Sequence, residues 1–404
     1  MKPRPFDTLA VHAGRLTPPQ NTAASPPLFQ ANSYIFRDLE EVEEVYGGTK
    51  PGAIYGRYGT PNGAHLESAL AELEGAQAAV AAASGMAAIA AALWTNLTAG
   101  DRLVATRELY GGTHALLESD FQLGGIDVVF VDQTKPAEVE AAVRAGRTRL
   151  VLVEALTNPL VHLADVPQIA AIAKRHAAAL LVDSTFATPA LFRPIEHGAD
   201  LVVHSLAKYI GGHADTESGI LAGRSELIAR ARAFIVRNGS NIAPFEAWLA
   251  LRGLRTLALR MERHTANARA VAVALAAESG VCRVYHPALA EHPQAQLAAR
   301  LFPEGTGGML AFEIAGGALA VAAFLRALRR IPIVHSMGEI TTTIAYPAVS
   351  SHRSLSPEAR TALGVSAGTL RLSVGIEDPL DIISDLRLGL AASRTCAGAG
   401  ATLA

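Results

Sequence analysis

The stretch His204-Ser205-Leu206-Ala207-Lys208-Tyr209-Ile210-Gly211-Gly212-His213 follows an apolar run at 201–203, and a second apolar run, 179–183, ends upstream in Asp183. One buried strand closing in an acidic residue and a lysine just past the next put both groups at the carboxyl edge of a sheet, where ligands of open α/β sheets gather. That pairing suits pyridoxal phosphate: a lysine amine bonds the aldehyde and a carboxylate pairs with the pyridinium nitrogen. A lysine alone says little, because most lysines are solvated surface groups. Ser84-Gly85-Met86 strengthens the case, since it follows an Ala/Val run and opens another apolar stretch. Free amides at such a helix start accept a phosphate.

Working outward, residues 2–59 are rich in Pro, Asn, Gly and Tyr and contain one acidic helical patch at 38–45, so they read as an extended arm. From residue 63 onward helical and strand patterns alternate. Strands are expected at 102–105, 126–131, 150–153, 179–183 and 201–203, with helices at 65–74, 136–144 and 166–178. Short apolar strands separated by helices imply a mainly parallel sheet covered on both faces. A helix-rich stretch at 246–278 follows, with 252–263 bridging two lobes, and strands at 308–314 and 369–374 belong to a smaller α+β lobe. The domains expected are an arm at 1–59, a large ligand-binding domain at 60–256 and a C-terminal domain at 257–404. The Gly/Ala-rich tail after Ser393 is expected to fray.

The chain has 404 residues, 50% of them hydrophobic and 18% charged, enough for a large core and more than one lobe. A formal net charge of −2 argues against a nucleic-acid or anionic-membrane surface. The two cysteines, Cys282 and Cys396, suggest neither a disulfide framework nor a metal site, which fits a reducing cytoplasm. The N-terminus lacks the apolar segment and cleavage site of a signal peptide. The most apolar stretch, 76–94, is mostly alanine and is interrupted by Ser84 and Gly85, which suits a ligand loop better than a membrane span.

Seven blocks in order resemble the cystathionine γ-synthase-like family, the pyridoxal-phosphate enzymes of cysteine and methionine metabolism. They are Tyr55-Gly56-Arg57-Tyr58-Gly59-Thr60-Pro61-Asn62, Ser84-Gly85-Met86-Ala87-Ala88, Tyr110-Gly111-Gly112-Thr113, Glu154-Ala155-Leu156-Thr157-Asn158-Pro159, Val182-Asp183-Ser184-Thr185-Phe186, the Lys208 segment, and Arg371-Leu372-Ser373-Val374-Gly375-Ile376-Glu377. The resemblance implies an α/β fold of the type I pyridoxal-phosphate transferase class (aminotransferase-like), with a mainly parallel central sheet and a smaller C-terminal α+β domain. It also implies that Lys208 bonds the cofactor and then moves protons, that Asp183 holds the pyridine nitrogen, and that Tyr110 stacks on the ring and assists the leaving group. Ser84, Gly85, Met86 and Ser205 would surround the phosphate, Asn158 would lie near the ring oxygen, and Arg371 with Ser336 would take the substrate carboxylate. Tyr55 and Arg57 would reach the phosphate in the neighbouring subunit, making a homodimer the minimal unit and a homotetramer the expected assembly. The implied reaction removes or exchanges the γ-substituent, or the β-substituent, of a sulfur amino acid or homoserine ester, as in cystathionine γ-lyase and γ-synthase. Alternatives are an O-acyl-homoserine sulfhydrylase, a methionine γ-lyase, an aminotransferase and a non-catalytic binding protein.

Three positions depart from the family pattern. Gly112 stands where methionine γ-lyases carry cysteine. Ser336-Met337-Gly338-Glu339-Ile340-Thr341-Thr342-Thr343 replaces a more usual Ser-Leu-Gly-Gly-x-Glu-Ser-Leu at the substrate entrance. Ala207 stands where relatives carry threonine, whose hydroxyl helps hold the phosphate. If one phosphate oxygen lacks that donor, Ala207→Thr tightens cofactor binding by up to about 1 kcal/mol, the net scale of one hydrogen bond. Titration of both apo-proteins with pyridoxal phosphate checks this; unchanged or weaker binding would mean that the phosphate site is already complete around the alanine.

Overall fold

The computed structural model describes residues 5–14, 23–353 and 355–400, and the side chains of 359 and 396–400 are outside the description. Seven strands form the central sheet: β1 (Ala78–Ala82), β2 (Arg102–Thr106), β3 (Asp127–Val131), β4 (Thr148–Glu154), β5 (Ala179–Asp183), β6 (Leu201–Ser205) and β7 (Gly219–Gly223). Their spatial order is β1-β7-β6-β5-β4-β2-β3, and β7 alone runs antiparallel to its neighbours. Alternation along β4 shows why the sheet is covered twice. Val151 and Val153 join one buried cluster with the helices Pro61–Glu74, Val166–Arg175 and Pro244–Leu254, whereas Leu150 and Leu152 join the other with Gly85–Asn96 and Ser225–Asn238.

A smaller antiparallel sheet holds β8 (Val281–Tyr285), β9 (Met309–Ile314), β10 (Thr343–Ala345) and β11 (Thr369–Ser373) in the order β10-β11-β9-β8. The fold is therefore the expected α/β arrangement with a second, smaller sheet. The five expected strands of the large sheet are present, but β1 and β7 were not foreseen. The β1 sequence, Ala-Ala-Val-Ala-Ala, has the composition of a helix, and β7 begins and ends in glycine. Both are held as strands by pairing to each other and to β6, so tertiary context overrides propensity. The C-terminal tail also differs from expectation: its backbone stays helical through Gly400 in the helix Pro379–Gly400.

Within the expected bridge at 252–263 the helix Pro244–Leu254 stops and Leu257–Ala276 begins. Arg260 sits just past this break and is buried. Its guanidinium donates to the carbonyls of Tyr209, Ile210 and Gly253, tying the loop that carries Lys208 to the helix junction. Burial pushes the Arg260 pKa down to about 10. Tyr209 is fully buried with its ring edge-on to His264 at 5.1 Å, and His264 Nδ1 bonds the Val374 carbonyl at 2.7 Å, just beyond β11. Arg260→Met would strand three buried carbonyls, so a loss of roughly 3 kcal/mol or more is expected. A thermal midpoint several degrees lower, with weaker cofactor retention, checks this; an unchanged midpoint would show that the guanidinium does not hold the loop.

Candidate active site

The carboxyl ends of β1, β4, β5 and β6 converge on one edge of the large sheet. Ser84, just beyond β1, caps the helix Gly85–Asn96 by accepting the Ala87 N–H at 3.1 Å. The first amides of such a helix have no partner inside it and face an incoming anion. Gly85 must lack a side chain, because a Cβ there would lie 2.9 Å from the Ser205 Cβ. Ser84, Gly85 and Ser205 are thus drawn together into one cradle. Met86 reaches the neighbouring helix, where its Sδ takes the Thr113 hydroxyl at 3.7 Å.

Asp183 ends β5, and its Oδ1 accepts the Thr185 N–H at 2.9 Å while the Thr185 hydroxyl accepts the Ser205 N–H at 2.9 Å. Burial pushes the Asp183 carboxyl up, and the Thr185 hydrogen bonds and the His204 imidazole pull against it. A cationic N–H set against this carboxylate would pull its pKa down further. Next to it in register, Glu154 ends β4, is buried, and is pushed well above the usual carboxylate range by desolvation and then by Asp183. Its Oε1 accepts the Tyr110 N–H at 2.7 Å. Glu154 thereby fixes the start of the Tyr110 segment.

Tyr110 precedes the helix Gly111–Leu116 with its side chain half exposed. A Cβ at residue 112 would meet the Tyr110 Cε1 at 2.6 Å, so Gly112 permits this placement of the ring. Lys208 is half-buried, and its Nζ donates to the Ser336 Oγ at 3.2 Å. Desolvation lowers the Lys208 pKa, the Arg371 guanidinium lowers it further, and Glu217 and Glu339 oppose them.

Arg371, on β11, is buried and comes from the other sheet. Its Nη2 donates to the Ser336 carbonyl at 3.0 Å and its Nη1 to the Asn158 Oδ1 at 3.1 Å. Its Nε is buried with no acceptor among the described residues. A buried N–H without a partner needs explaining, and a carboxylate is the acceptor a guanidinium fits best. Ser336 thus links the lysine to the arginine through two different atoms. The Gly338 N–H donates to the Ser373 hydroxyl at 2.9 Å, holding this segment on β11.

Lys208, Asp183, Ser84, Gly85, Met86, Ser205, Tyr110, Asn158, Ser336 and Arg371 all lie along this edge or on the segments facing it. Among the described residues Tyr55 and Arg57 make no hydrogen bond to any of them. Arg57 Nη1 instead donates to the Val236 carbonyl at 2.8 Å, and Arg57 lines a separate cavity of about 460 Å³ with Pro51, Glu67 and Arg232. Sequence reasoning gave no role to Glu154, Thr185 or His352. His352 is buried, and desolvation followed by the Arg371 guanidinium pushes it down to about 4, so it is neutral beside the arginine. The legible signal for Glu154 was an acidic residue closing the strand before the one that ends in Asp183.

The site fits pyridoxal phosphate on its own evidence: a serine-capped helix start for the phosphate, a strand-end carboxylate for the ring nitrogen, and a desolvated lysine for the aldehyde. The family of Cys/Met metabolism PLP-dependent enzymes matches residues 7–391. An O-succinylhomoserine sulfhydrylase from Pseudomonas aeruginosa is 40% identical over 387 residues, covering 96% of this chain and 95% of that one. An L-methionine gamma-lyase from Porphyromonas gingivalis is 39% identical over 388 residues, covering 95% and 96%. The crystal structure of a cystathionine gamma synthase from Xanthomonas oryzae pv. oryzae, in complex with aminoacrylate and cysteine, superposes with a TM-score of 0.92 at 38% identity, covering 98% of this chain and all of that one. A cradle of this chemistry on this fold, matched over nearly the whole length, makes the chain a member of the Cys/Met metabolism PLP-dependent enzyme family.

Proposed function

We propose that the protein carries out γ-elimination or γ-replacement on a sulfur amino acid or a homoserine ester, with β-elimination open to the same residues. The observation that carries this reading is the chain of contacts Lys208 Nζ to Ser336 to Arg371 to Asn158. Arg371 takes the substrate carboxylate on a buried guanidinium, and Asn158 and the Ser336 carbonyl fix its plane. The substrate Cα is thereby set beside Lys208 Nζ. When bound, pyridoxal phosphate supplies the electron sink for charge developing at Cα. Lys208 Nζ takes the Cα proton and then serves the next carbon, as a tethered amine of lowered pKa is suited to do. The Tyr110 hydroxyl gives a proton to the departing sulfur or oxygen, and Glu154 holds that segment in place.

Among the possible γ-reactions, replacement on a homoserine ester is favoured over methionine γ-elimination. The bare Gly112 leaves the Tyr110 ring where a side chain would otherwise stand. Glu339 adds negative charge near Lys208, in the segment that departs from the family pattern. Incubating the holoenzyme with O-succinylhomoserine, O-acetylhomoserine, cystathionine, methionine and cysteine, each with and without a thiol, tests this. A new thioether formed only with thiol is expected; 2-oxo acid released from methionine at a comparable rate without thiol would assign a lyase instead.

The arm at 1–59 is proposed to complete a neighbouring subunit's site, with the catalytic and C-terminal domains at 60–256 and 257–404, and the protein to work in a reducing cytoplasm. Support comes from apolar side chains exposed on the arm, with Ile35 fully exposed and Leu28, Phe29, Leu39 and Tyr46 exposed beside it. Among the described residues no helix is long and apolar enough to cross a membrane. Mixing Arg57→Ala chains with Lys208→Ala chains, each inactive alone, should restore roughly a quarter of wild-type activity, because one site of each hybrid dimer then has both residues. No recovery in proven hybrids would place Arg57 in its own chain's site.

A further inference from the structure

A second cavity, about 1020 Å³, lies away from the Lys208 edge. It opens at the starts of β4, β5 and β6 and the end of β7, about 20 Å from Glu154 along the length of β4. Its walls carry Arg147, Arg149, Lys174, Arg224 and Arg230 against only Asp101 and Asp200, in a chain whose formal charge is −2. Arg147 and Arg149 both approach one buried oxygen, Asp101 Oδ1, at 3.1 and 3.5 Å, so a single carboxylate holds two guanidinium groups in place and leaves one positive charge over. Arg224 is neutralised by Asp200 and Glu226. Among the described residues the Arg230 guanidinium donates only to the Asn96 amide oxygen, and the Lys174 ammonium makes no hydrogen bond or ion pair. The carboxyl ends of the helices Val166–Arg175 and Pro136–Arg144 favour a cation near Lys174 and near Arg147, and Arg149 adds a further cation at the start of β4. On the same wall Trp94 is 42% exposed, with its ring backed by Phe121 at a centroid distance of 4.3 Å. One aromatic side is therefore supported from within while part of the ring stays open.

We propose that this rear cleft binds a nucleoside polyphosphate, with the phosphates on Arg147, Arg149, Lys174 and Arg230 and the base against Trp94. Guanidinium forks suit phosphate oxygens, the volume is of small-molecule scale, and a planar base covers the part of the Trp94 ring that is exposed. The test uses the holoenzyme, so that the cofactor's own phosphate site is filled. Titration with ATP at physiological salt, followed by calorimetry and by tryptophan fluorescence, is expected to saturate and to weaken as salt rises. Tripolyphosphate alone should bind more weakly than ATP, and adenosine more weakly still. Arg147→Ala with Arg149→Ala should weaken ATP binding at least about tenfold. Because that pair also frees Asp101, the exposed Lys174→Glu provides a second variant that reverses a charge without opening the core, and it should weaken binding in the same direction. Absence of saturable binding, or unchanged affinity in a folded Lys174→Glu protein, would overturn the proposal. Tripolyphosphate binding as tightly as ATP would overturn the seat for the base on Trp94.

Discussion

Lys208 stands on the large sheet and Arg371 on the small one, and the site exists only while Ser336 joins them, its hydroxyl accepting from the lysine and its carbonyl from the arginine. Burial lowers the pKa of both cations, and the Arg371 guanidinium lowers that of Lys208 further. The surrounding structure maintains the arrangement through backbone contacts. Arg260 grips the Lys208 loop, Tyr209 packs on His264, and His264 holds the end of β11. A shift between the two sheets would break the Lys208–Ser336 and Arg371–Asn158 contacts together, so the catalytic geometry depends on how the two sheets dock.

The same economy governs the acidic residues. Neighbouring strands end in Glu154 and Asp183, in register, and two buried carboxylates at that spacing do not both ionise readily. Their hydrogen bonds differ: Glu154 receives the Tyr110 amide, and Asp183 is braced by Thr185, which in turn holds Ser205. One carboxyl therefore serves as a strut for the Tyr110 segment, and the other stands at the strand end where a ring nitrogen would pair with it. The site's polarity follows from where the two strands stop.

Much of this is legible in the sequence alone. Strand-end Asp183 and post-strand Lys208 are punctuation on apolar runs, and such runs announce a buried parallel sheet. What could not be read were elements whose identity comes from neighbours. β1 is alanine-rich and becomes a strand only by pairing with β7, itself bounded by glycines. Glu154 appeared within a quoted motif, yet its role depends on the register of β4 against β5, which no local pattern reveals. Tyr55 and Arg57 show the converse: their motif is distinctive, but within a single chain Arg57 donates to the Val236 carbonyl and not to the Lys208 segment. Ser336 was expected at the substrate carboxylate, and its contact with the lysine became visible only once the two sheets were docked.

The proposed chemistry requires that Lys208, and no other amine, bonds the cofactor. Borohydride reduction of the holoenzyme followed by proteolysis and mass spectrometry reads this directly. The account predicts the pyridoxyl-phosphate mass on the peptide containing Ala207-Lys208-Tyr209. The same mass on a peptide carrying Lys50, Lys135 or Lys174 instead would contradict it.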